Sequence, residues 1–293
     1  MNPNGCERFR TRSAPLRKRH AAKRGARIEI RRCRPLLGTF VEIAVTGTSA
    51  EKLERALAAA FASVEQAHRL MSFYDPASDI ARINRQAFQS RVVVHPWTWR
   101  VLQAAQRFAR ESSGVFDPTA ARPGHGNWTD IVLEKNCAVR LRRRVTIDLG
   151  GIAKGFAVDR AVAALRKRNV RGGIVNAGGD LRVFGAAPRT VHVRNPRSPG
   201  EFSARVRVRN LAIASSATCF APDALFDGRT RRHVARLLSV TIAARDCMTA
   251  DALAKIVFTL RENAAPVLRR YRAHALILDR TGLPCWVFKT HAG

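Results

Sequence analysis

The sequence predicts an α+β protein built around one large folded domain. Some segments alternate apolar and polar residues as strands do, and others space their apolar residues as helices do, without regular strand–helix–strand repetition. The chain has 293 residues, of which 46% are hydrophobic, and this composition is typical of a globular protein with a sizeable core. No apolar stretch approaches the roughly 18 residues of a membrane-spanning helix, so no membrane span is expected.

The first half of the chain predicts strands and helices in turn. Val41, Ile43 and Val45 alternate with other residues, which predicts a strand over residues 34–46. Apolar residues near helical spacing predict a helix over residues 50–71. The remaining elements of this half are a short helix DIARINR capped by Ser78 or Asp79, a helix over residues 97–111, and two short strands within residues 129–147.

In the central segment, residues 145–165, a strand is predicted to run into a helix across a glycine pair. Val145 and Ile147 are typical of a strand, Asp148 stands at its end, and Lys154 stands at the predicted start of the helix. Free backbone N–H groups at such a junction, together with a lysine, are suited to binding an anion. A glycine pair also simply ends a strand, and this second interpretation stays open beside the first.

The second half predicts further strands and one long helix. A strand near residues 172–177 runs into a second glycine pair, which Asp180 follows. A helix over residues 247–260 carries Asp251 in its first turn, with Thr249 as the candidate cap. The other predicted strands are VHVR, LAIASSATCF, SVTIAA, HALILD and PCWVF.

Three carboxylates, Asp148, Asp180 and Asp251, stand where predicted elements begin or end. Carboxylates with backbone carbonyls are ligands of Mg²⁺ or Ca²⁺, whereas glycine-rich backbone with a lysine suits phosphate, and the combination indicates a nucleotide. The ordinary alternatives are that Asp180 caps a turn and that Asp251 is favoured by the helix dipole. The sequence has no GxGxxG, Walker A or GxSxG signature, so the common nucleotide-binding and hydrolase folds are not indicated.

The formal net charge is +30, and residues 1–34 contribute +10 of it through twelve Lys and Arg against two Glu. Residues 1–33 are predicted to be a basic, disordered segment that precedes a folded domain over residues 34–293. A basic chain of this kind can bind nucleic acid, which is one alternative function. The basic residues of the body are not interleaved with aromatic residues, so a solvated basic surface is the preferred interpretation and no specific nucleic-acid partner is expected.

Cysteine and histidine spacing argues against a transition-metal site. The six cysteines are scattered without a CxxC pair, and the eight histidines show no HxxxH pair. Free thiols are therefore expected.

Seven segments together resemble the ApbE family, the FAD:protein FMN transferases. They are RPLLGTF, MSFYDPASDIARIN, GVFDPT, IDLGGIAKGFAVD, NAGGDLRVFG, AIASS and SVTIAARDCMTADALAK, within residues 34–290. IDLGGIAKG in combination with NAGGD carries most of the resemblance. It implies a T-fold-like α+β architecture of mixed or antiparallel sheets with packed helices.

The resemblance also implies an activity. With Mg²⁺, proteins of this family transfer the FMN half of FAD to a threonine hydroxyl of an acceptor flavoprotein and release AMP, and some members hydrolyse FAD instead. By motif position, the implied FAD contacts are Leu37, Tyr74, Val115, Phe116, Asp117, Asp148 and Lys154. The Gly151 carbonyl and Asp251 are the implied metal ligands, which makes Asp251 a catalytic residue, and His233 is the candidate base. Tyr74 is expected to stack on a flavin or adenine ring or, alternatively, to be a half-buried core residue.

The chain departs from the family pattern in two places. The Asp-Pro-Arg-Thr-Gly segment expected between His233 and the SVT strand is missing. Lys255 stands four residues after Asp251, where the family often has Thr or Ala, and an ammonium group cannot ligate a cation. An FAD-binding relative with weak FAD pyrophosphatase activity, or with none, is therefore the first alternative to a transferase. The N-terminus has no apolar segment typical of a signal peptide, which favours the cytoplasm, whereas the resemblance implies the periplasm.

Overall fold

An eight-stranded antiparallel sheet forms the centre of the computed structural model, which describes residues 26–122, 125–198, 200–217, 225–234, 239–279 and 281–289. In chain order the strands are β1 (Ile28–Leu36), β2 (Thr39–Gly47), β3 (Val92–Val93), β4 (Ile131–Glu134), β5 (Ala138–Leu141), β6 (Gly172–Ala177), β7 (Asp180–Phe184), β8 (Arg189–Arg194), β9 (Phe202–Val208), β10 (Ala212–Ala217), β11 (Phe226–Asp227), β12 (Arg232–His233), β13 (Ser239–Ala244), β14 (His274–Leu278) and β15 (Pro284–Phe288). The α-helices are α1 (Ala50–Met71), α2 (Asp79–Gln86), α3 (Pro96–Glu111), α4 (Ala153–Lys167), α5 (Cys247–Leu260) and α6 (Ala265–Arg270).

The strands of the large sheet follow the order β1-β2-β6-β7-β10-β13-β14-β15, and each neighbouring pair is antiparallel. Smaller sheets are formed by β3-β5-β4, by the hairpin β8-β9 and by the hairpin β11-β12. The alternating residues Val41, Ile43 and Val45 of β2 are fully buried in the main core, as expected for a strand inside the sheet.

Helices α1, α4 and α5 form the main core with one face of the sheet. Helix α1 packs against α4, α4 packs against α5, and α5 packs against β10 and β13. Leu57 and Phe61 of α1, Val162 of α4 and Phe258 of α5 are buried there. Burial of each such side chain contributes roughly 1.5–3 kcal/mol, so the amphipathic helices hold the sheet in place.

A second, smaller core lies on the opposite face of the sheet. Leu181 and Val183 of β7 pack there with Val208 of β9, beneath the β8-β9 hairpin. Arg182, which stands between them, projects to the helical face, where its Nη1 donates to Asp159 of α4 at 2.6 Å. The two faces of β7 therefore connect the hairpin on one side with the helices on the other.

The predicted α+β class is confirmed, and helices α1 and α5 begin and end where the apolar spacing predicts. The cap of α5 differs from the prediction. Asp246, rather than Thr249, is the cap, and its Oδ1 accepts a hydrogen bond from the backbone N–H of Thr249 at 2.8 Å. A carboxylate at this position satisfies a free N–H group of the first turn and faces the positive end of the helix dipole.

The strand predicted over residues 34–46 is instead a hairpin of β1 and β2. Leu37 and Gly38 join the two strands with φ of 57° and 68°, the left-handed geometry of a tight two-residue hairpin turn. Strand β1 begins at Ile28, so the predicted domain boundary at residue 34 falls inside β1. Residues 1–25, most of the predicted basic segment, lie outside the described residues.

The central segment does not contain the strand predicted at Val145 and Ile147. The backbone groups of Ile147 form hydrogen bonds with a side chain instead of with a neighbouring strand. Asn84 Oδ1 accepts from Ile147 N at 2.8 Å, and Asn84 Nδ2 donates to Ile147 O at 2.9 Å. The N–H of Asp148 donates to Pro118 O at 2.7 Å. Because a side chain and a loop satisfy these groups, the segment joins no strand ladder and runs irregularly into α4.

Strand β10 ends at Ala217, and residues 218–220 of the predicted strand LAIASSATCF lie outside the described residues. Among the helices that the structure describes, none combines the length and the hydropathy required to cross a bilayer.

Candidate functional site

A cleft of about 1210 Å³ lies between strands β2, β6, β7 and β10 of the large sheet, the β8-β9 hairpin and the entry to α4. The residues of the implied FAD set that line it are Tyr74, Val115, Phe116, Asp117, Asp148 and Lys154. Gly151 and Lys255 line it as well. The segments that carry the family resemblance thus converge on one cavity, although they are spread over most of the chain.

Asp148 lies at the cleft with both carboxylate oxygens engaged. Its Oδ1 accepts from the N–H of Gly150 at 2.9 Å, which shapes the turn before α4. Its Oδ2 accepts from Arg122, at 3.0 Å from Nε and 2.7 Å from Nη2. The Arg122 guanidinium also lies 3.8 Å from the ring centroid of Phe73 and contacts the Tyr74 hydroxyl at 3.4 Å.

Arg122 is a cleft residue that the sequence did not indicate. It follows the GVFDPT segment in a loop rich in proline and glycine, where no periodicity exists to point to it. The only available signal was its proximity to that segment, in a chain where arginines are abundant.

Two buried carboxylates and two lysines form a cluster on the floor of the cleft, hereafter the lysine–aspartate cluster. Lys154 Nζ is paired with Asp180 Oδ2, and Lys255 Nζ is paired with Asp251 Oδ1. Asp251 Oδ2 accepts from the backbone N–H of Gly155 at 3.0 Å. Both carboxylates are buried, at 1% exposure for Asp180 and 0% for Asp251. Lys154 and Lys255 line the cleft, and the buried carboxylates hold their ammonium groups.

The environment shifts the pKa values of this cluster in opposite directions. Burial, and then the charge of Asp251, raise the pKa of Asp180 above its ordinary value. Burial would also raise the pKa of Asp251, but the ammonium groups of Lys255 and Lys154 outweigh it and lower that pKa. Burial opposes the charge of Lys154, yet Asp180 and Asp251 together raise its pKa, so Lys154 is a fixed cation of the cleft.

The donor set does not fit the Mg²⁺ that the resemblance implies at Gly151 and Asp251. One oxygen of Asp251 is paired with the ammonium group of Lys255 and the other accepts from Gly155 N–H, so a metal that bound this carboxylate would have to displace Lys255 or share an oxygen that already accepts a hydrogen bond. Asp180 Oδ1 has no hydrogen-bond partner among the described residues, but this single atom is buried. Mg²⁺ requires near-octahedral oxygen coordination, and the described part of the chain contains no group of three or more His, Cys, Asp or Glu side chains that could hold a metal ion.

Tyr74 and His233 lie at the periphery of the cleft. Tyr74 is 82% exposed and touches Phe73 edge-on at 5.3 Å between ring centroids, which excludes the alternative that it is a half-buried core residue. His233 is exposed on β12 and does not line the cleft. Its ring packs at 4.2 Å on Phe226, which does line the cleft. Residues 235–238, where the family segment is missing, lie outside the described residues.

Leu37 and Asp117 have local structural roles. Leu37 forms the β1-β2 turn and packs partly against the main core without lining the cleft. Asp117 Oδ1 accepts from the N–H and the hydroxyl of Thr119, and its Oδ2 accepts from Trp128 N–H. Burial raises the pKa of Asp117 in spite of these hydrogen bonds. Asp117 therefore organises the loop that presents Val115 and Phe116 to the cleft.

Comparison with known proteins gives a consistent result. Residues 37–125 and 120–277 match the sequence model of the ApbE family. The FAD:protein FMN transferase of Treponema pallidum is 27% identical over an alignment of 330 positions, and the match covers 87% of this chain and 90% of that protein. The FAD:protein FMN transferase of Rhodobacter capsulatus is 25% identical over 272 residues, and the match covers 79% of this chain but 51% of that protein. The crystal structure of the ApbE protein of Thermotoga maritima has a TM-score of 0.78 to this fold at 27% identity, covering 88% of this chain and 96% of that one.

Proposed function

The chain belongs to the ApbE family, and on this premise we propose that it is an FAD:protein FMN transferase. One observation carries the proposal: Tyr74, the segment 115–117, Asp148 and Lys154 line a single cleft. Its volume of about 1210 Å³ lies above the range of roughly 300–1,000 Å³ typical of small-molecule sites, so the cleft is large enough to accommodate a dinucleotide.

The proposed reaction exchanges one phosphorus–oxygen bond for another. The hydroxyl oxygen of an acceptor threonine bonds to the phosphorus of the FMN half of FAD. The bond from that phosphorus to the bridging oxygen breaks, and AMP leaves with the bridging oxygen, while the hydroxyl proton is released. Catalysis of phosphoryl transfer depends mainly on positioning and on neutralising charge on the phosphate oxygens.

Residues in the cleft and at its periphery supply the positioning, the charge and the proton acceptor in the proposed complex. Lys154 offers a fixed positive charge to the diphosphate. Tyr74, exposed at the rim, is positioned to stack on an aromatic ring of FAD. His233 is the proposed acceptor of the hydroxyl proton, because its ring packs on the cleft residue Phe226. No step of the proposal depends on Mg²⁺, since the predicted ligands do not fit it.

A second candidate function is FAD binding with weak pyrophosphatase activity or none. The pairing of Lys255 with Asp251 favours it, because this pairing removes the predicted metal site on which transfer in the family was expected to depend.

One assay separates the candidates. The full chain is incubated with FAD and an acceptor protein that carries the target threonine, with Mg²⁺ and with EDTA, and both AMP and covalent flavin fluorescence are measured. A transferase releases AMP and labels the acceptor, and the matched acceptor with Thr→Val stays unlabelled. Release of AMP without labelling contradicts transfer and indicates a pyrophosphatase. Neither signal, with an FAD-dependent rise in melting temperature, indicates a binding protein.

A further inference from the structure

The Lys255 side chain lies beside both residues that were predicted to hold a metal. Its ammonium group is paired with Oδ1 of Asp251. Its aliphatic part lies over Gly151, because a Cβ built on Gly151 would be 3.8 Å from both Cγ and Cε of Lys255. A cation that belongs to the protein therefore stands where a divalent cation was expected.

The charges of the lysine–aspartate cluster are already balanced. Asp180 and Asp251 supply two negative charges, and Lys154 and Lys255 supply two positive charges. A divalent cation added here would introduce two further positive charges beside a carboxylate whose two oxygens already accept from Lys255 and from Gly155 N–H. An ammonium group and a hard cation thus compete for the same carboxylate, and the ammonium is covalently tethered beside it.

Lys255 is also placed to meet an anion. Its side chain retains 19% exposure and lines the cleft with Lys154, which retains 30%. Lysine ammonium groups bind phosphate oxygens as compact point charges, and the buried carboxylates behind them hold both lysines in position.

We propose that Lys255 replaces the divalent cation in this chain, so that the two lysines hold the diphosphate of FAD without Mg²⁺. The inference rests on the proposed function only for the identity of the ligand. The exclusion of Mg²⁺ by Lys255 stands on the contacts within the cluster, and the two parts are tested separately.

The first experiment measures Mg²⁺ binding alone, by titration calorimetry of the full chain without FAD. The wild-type chain is expected to show no saturable binding at millimolar Mg²⁺. Lys255→Thr frees Asp251 Oδ1 and removes one positive charge, so it is expected to gain a saturable site. Its melting temperature is expected to fall in EDTA and to recover in Mg²⁺, because the buried Asp251 lacks its cation in EDTA. Saturable binding by the wild type, or no gain in Lys255→Thr, overturns the exclusion of Mg²⁺.

The second experiment measures FAD binding by flavin fluorescence, in EDTA and in Mg²⁺. The wild-type Kd is expected to agree within about twofold between the two conditions, because none of the proposed contacts to the diphosphate depends on Mg²⁺. One charge-assisted contact is worth about tenfold in Kd, so the loss or gain of such a contact would be visible. Lys255→Thr is expected to bind about tenfold more weakly in EDTA and to recover in Mg²⁺. Lys255→Arg keeps the positive charge and is expected to remain independent of Mg²⁺.

Lys167→Thr, an exposed lysine at the end of α4, is the matched control and is expected to behave as the wild type. A wild-type chain that binds FAD at least about tenfold more tightly in Mg²⁺ overturns the inference and leaves the proposed function intact. A wild-type chain that binds FAD in neither condition overturns the proposed function, while the calorimetric result still decides whether Lys255 excludes Mg²⁺.

Discussion

The guanidinium group of Arg122 holds one oxygen of Asp148 through two hydrogen bonds, at 3.0 Å from Nε and 2.7 Å from Nη2. The other Asp148 oxygen is bonded to Gly150 N–H. Asp148 therefore lines the cleft as half of an ion pair, in which Arg122 compensates its negative charge.

Arg122→Ala is expected to weaken FAD binding by about tenfold, because it removes a cation from the cleft and leaves the Asp148 charge uncompensated. The Kd is measured by flavin fluorescence. Arg122→Ala combined with Asp148→Asn removes both charges and is expected to recover part of the affinity. Equal Kd values for Arg122→Ala and the wild type would show that the ion pair does not influence the ligand.

Tyr74→Ala is expected to lower FAD affinity without lowering stability. Stacking of an aromatic side chain on a base is worth about 1–3 kcal/mol, or roughly five- to hundredfold in Kd. Stability is expected to persist because Tyr74 is 82% exposed. Tyr74→Phe keeps the ring and is expected to bind FAD as the wild type does. Phe88→Ala, an exposed aromatic residue that does not line the cleft, is the control for both measurements.

Gly155→Ala is expected to destabilise the fold by about 3 kcal/mol or more, because helices α4 and α5 meet there without space for a methyl group. A Cβ on Gly155 would lie 2.8 Å from the Met248 Cα, and the carbonyl of Cys247 is closer still. Gly151→Ala is the matched variant, since its Cβ would meet its nearest neighbour, in the Phe116 ring, at 3.4 Å. Urea unfolding of both proteins measures the difference, and similar midpoints would refute the close approach of the helices.

Tyr271 is expected to make stability depend on pH in the alkaline range. Burial and its hydrogen bond to Glu111 raise the pKa of Tyr271 to about 12, from about 10 in an unfolded chain. The folded protein holds this proton more tightly, so the contribution to stability is present below about pH 10 and is lost as the pH rises toward 12.

Tyr271→Phe is expected to remove that part of the pH dependence of unfolding. The chain has two tyrosines, so absorbance titration of the phenolates can also identify the step that the substitution removes. A titration step near pH 12 that persists in Tyr271→Phe would contradict the assignment.

The local pattern of apolar residues was sufficient to predict the helices in which that pattern repeats over several turns. Helices α1 and α5 are where the spacing predicts them, because an amphipathic face is a property of the local sequence. The convergence of the IDLGGIAKG and NAGGD segments on one site was anticipated from the family resemblance, and the structure brings Asp148, Lys154 and Gly179 to the same cleft. The family and the α+β class were therefore predictable from the sequence alone.

Only the tertiary structure decided how the backbone and charged groups of the site are partnered. Val145 and Ile147 have strand propensity, but Asn84, 63 residues before Ile147, takes the hydrogen bonds that a strand would need. The sequence places Lys255 one helical turn after Asp251. Whether the Lys255 side chain faces solvent or pairs with Asp251 depends on the packing of α5 against its neighbours. Composition and periodicity determine which segments are buried, whereas the availability of a carboxylate oxygen depends on contacts between residues distant in the chain.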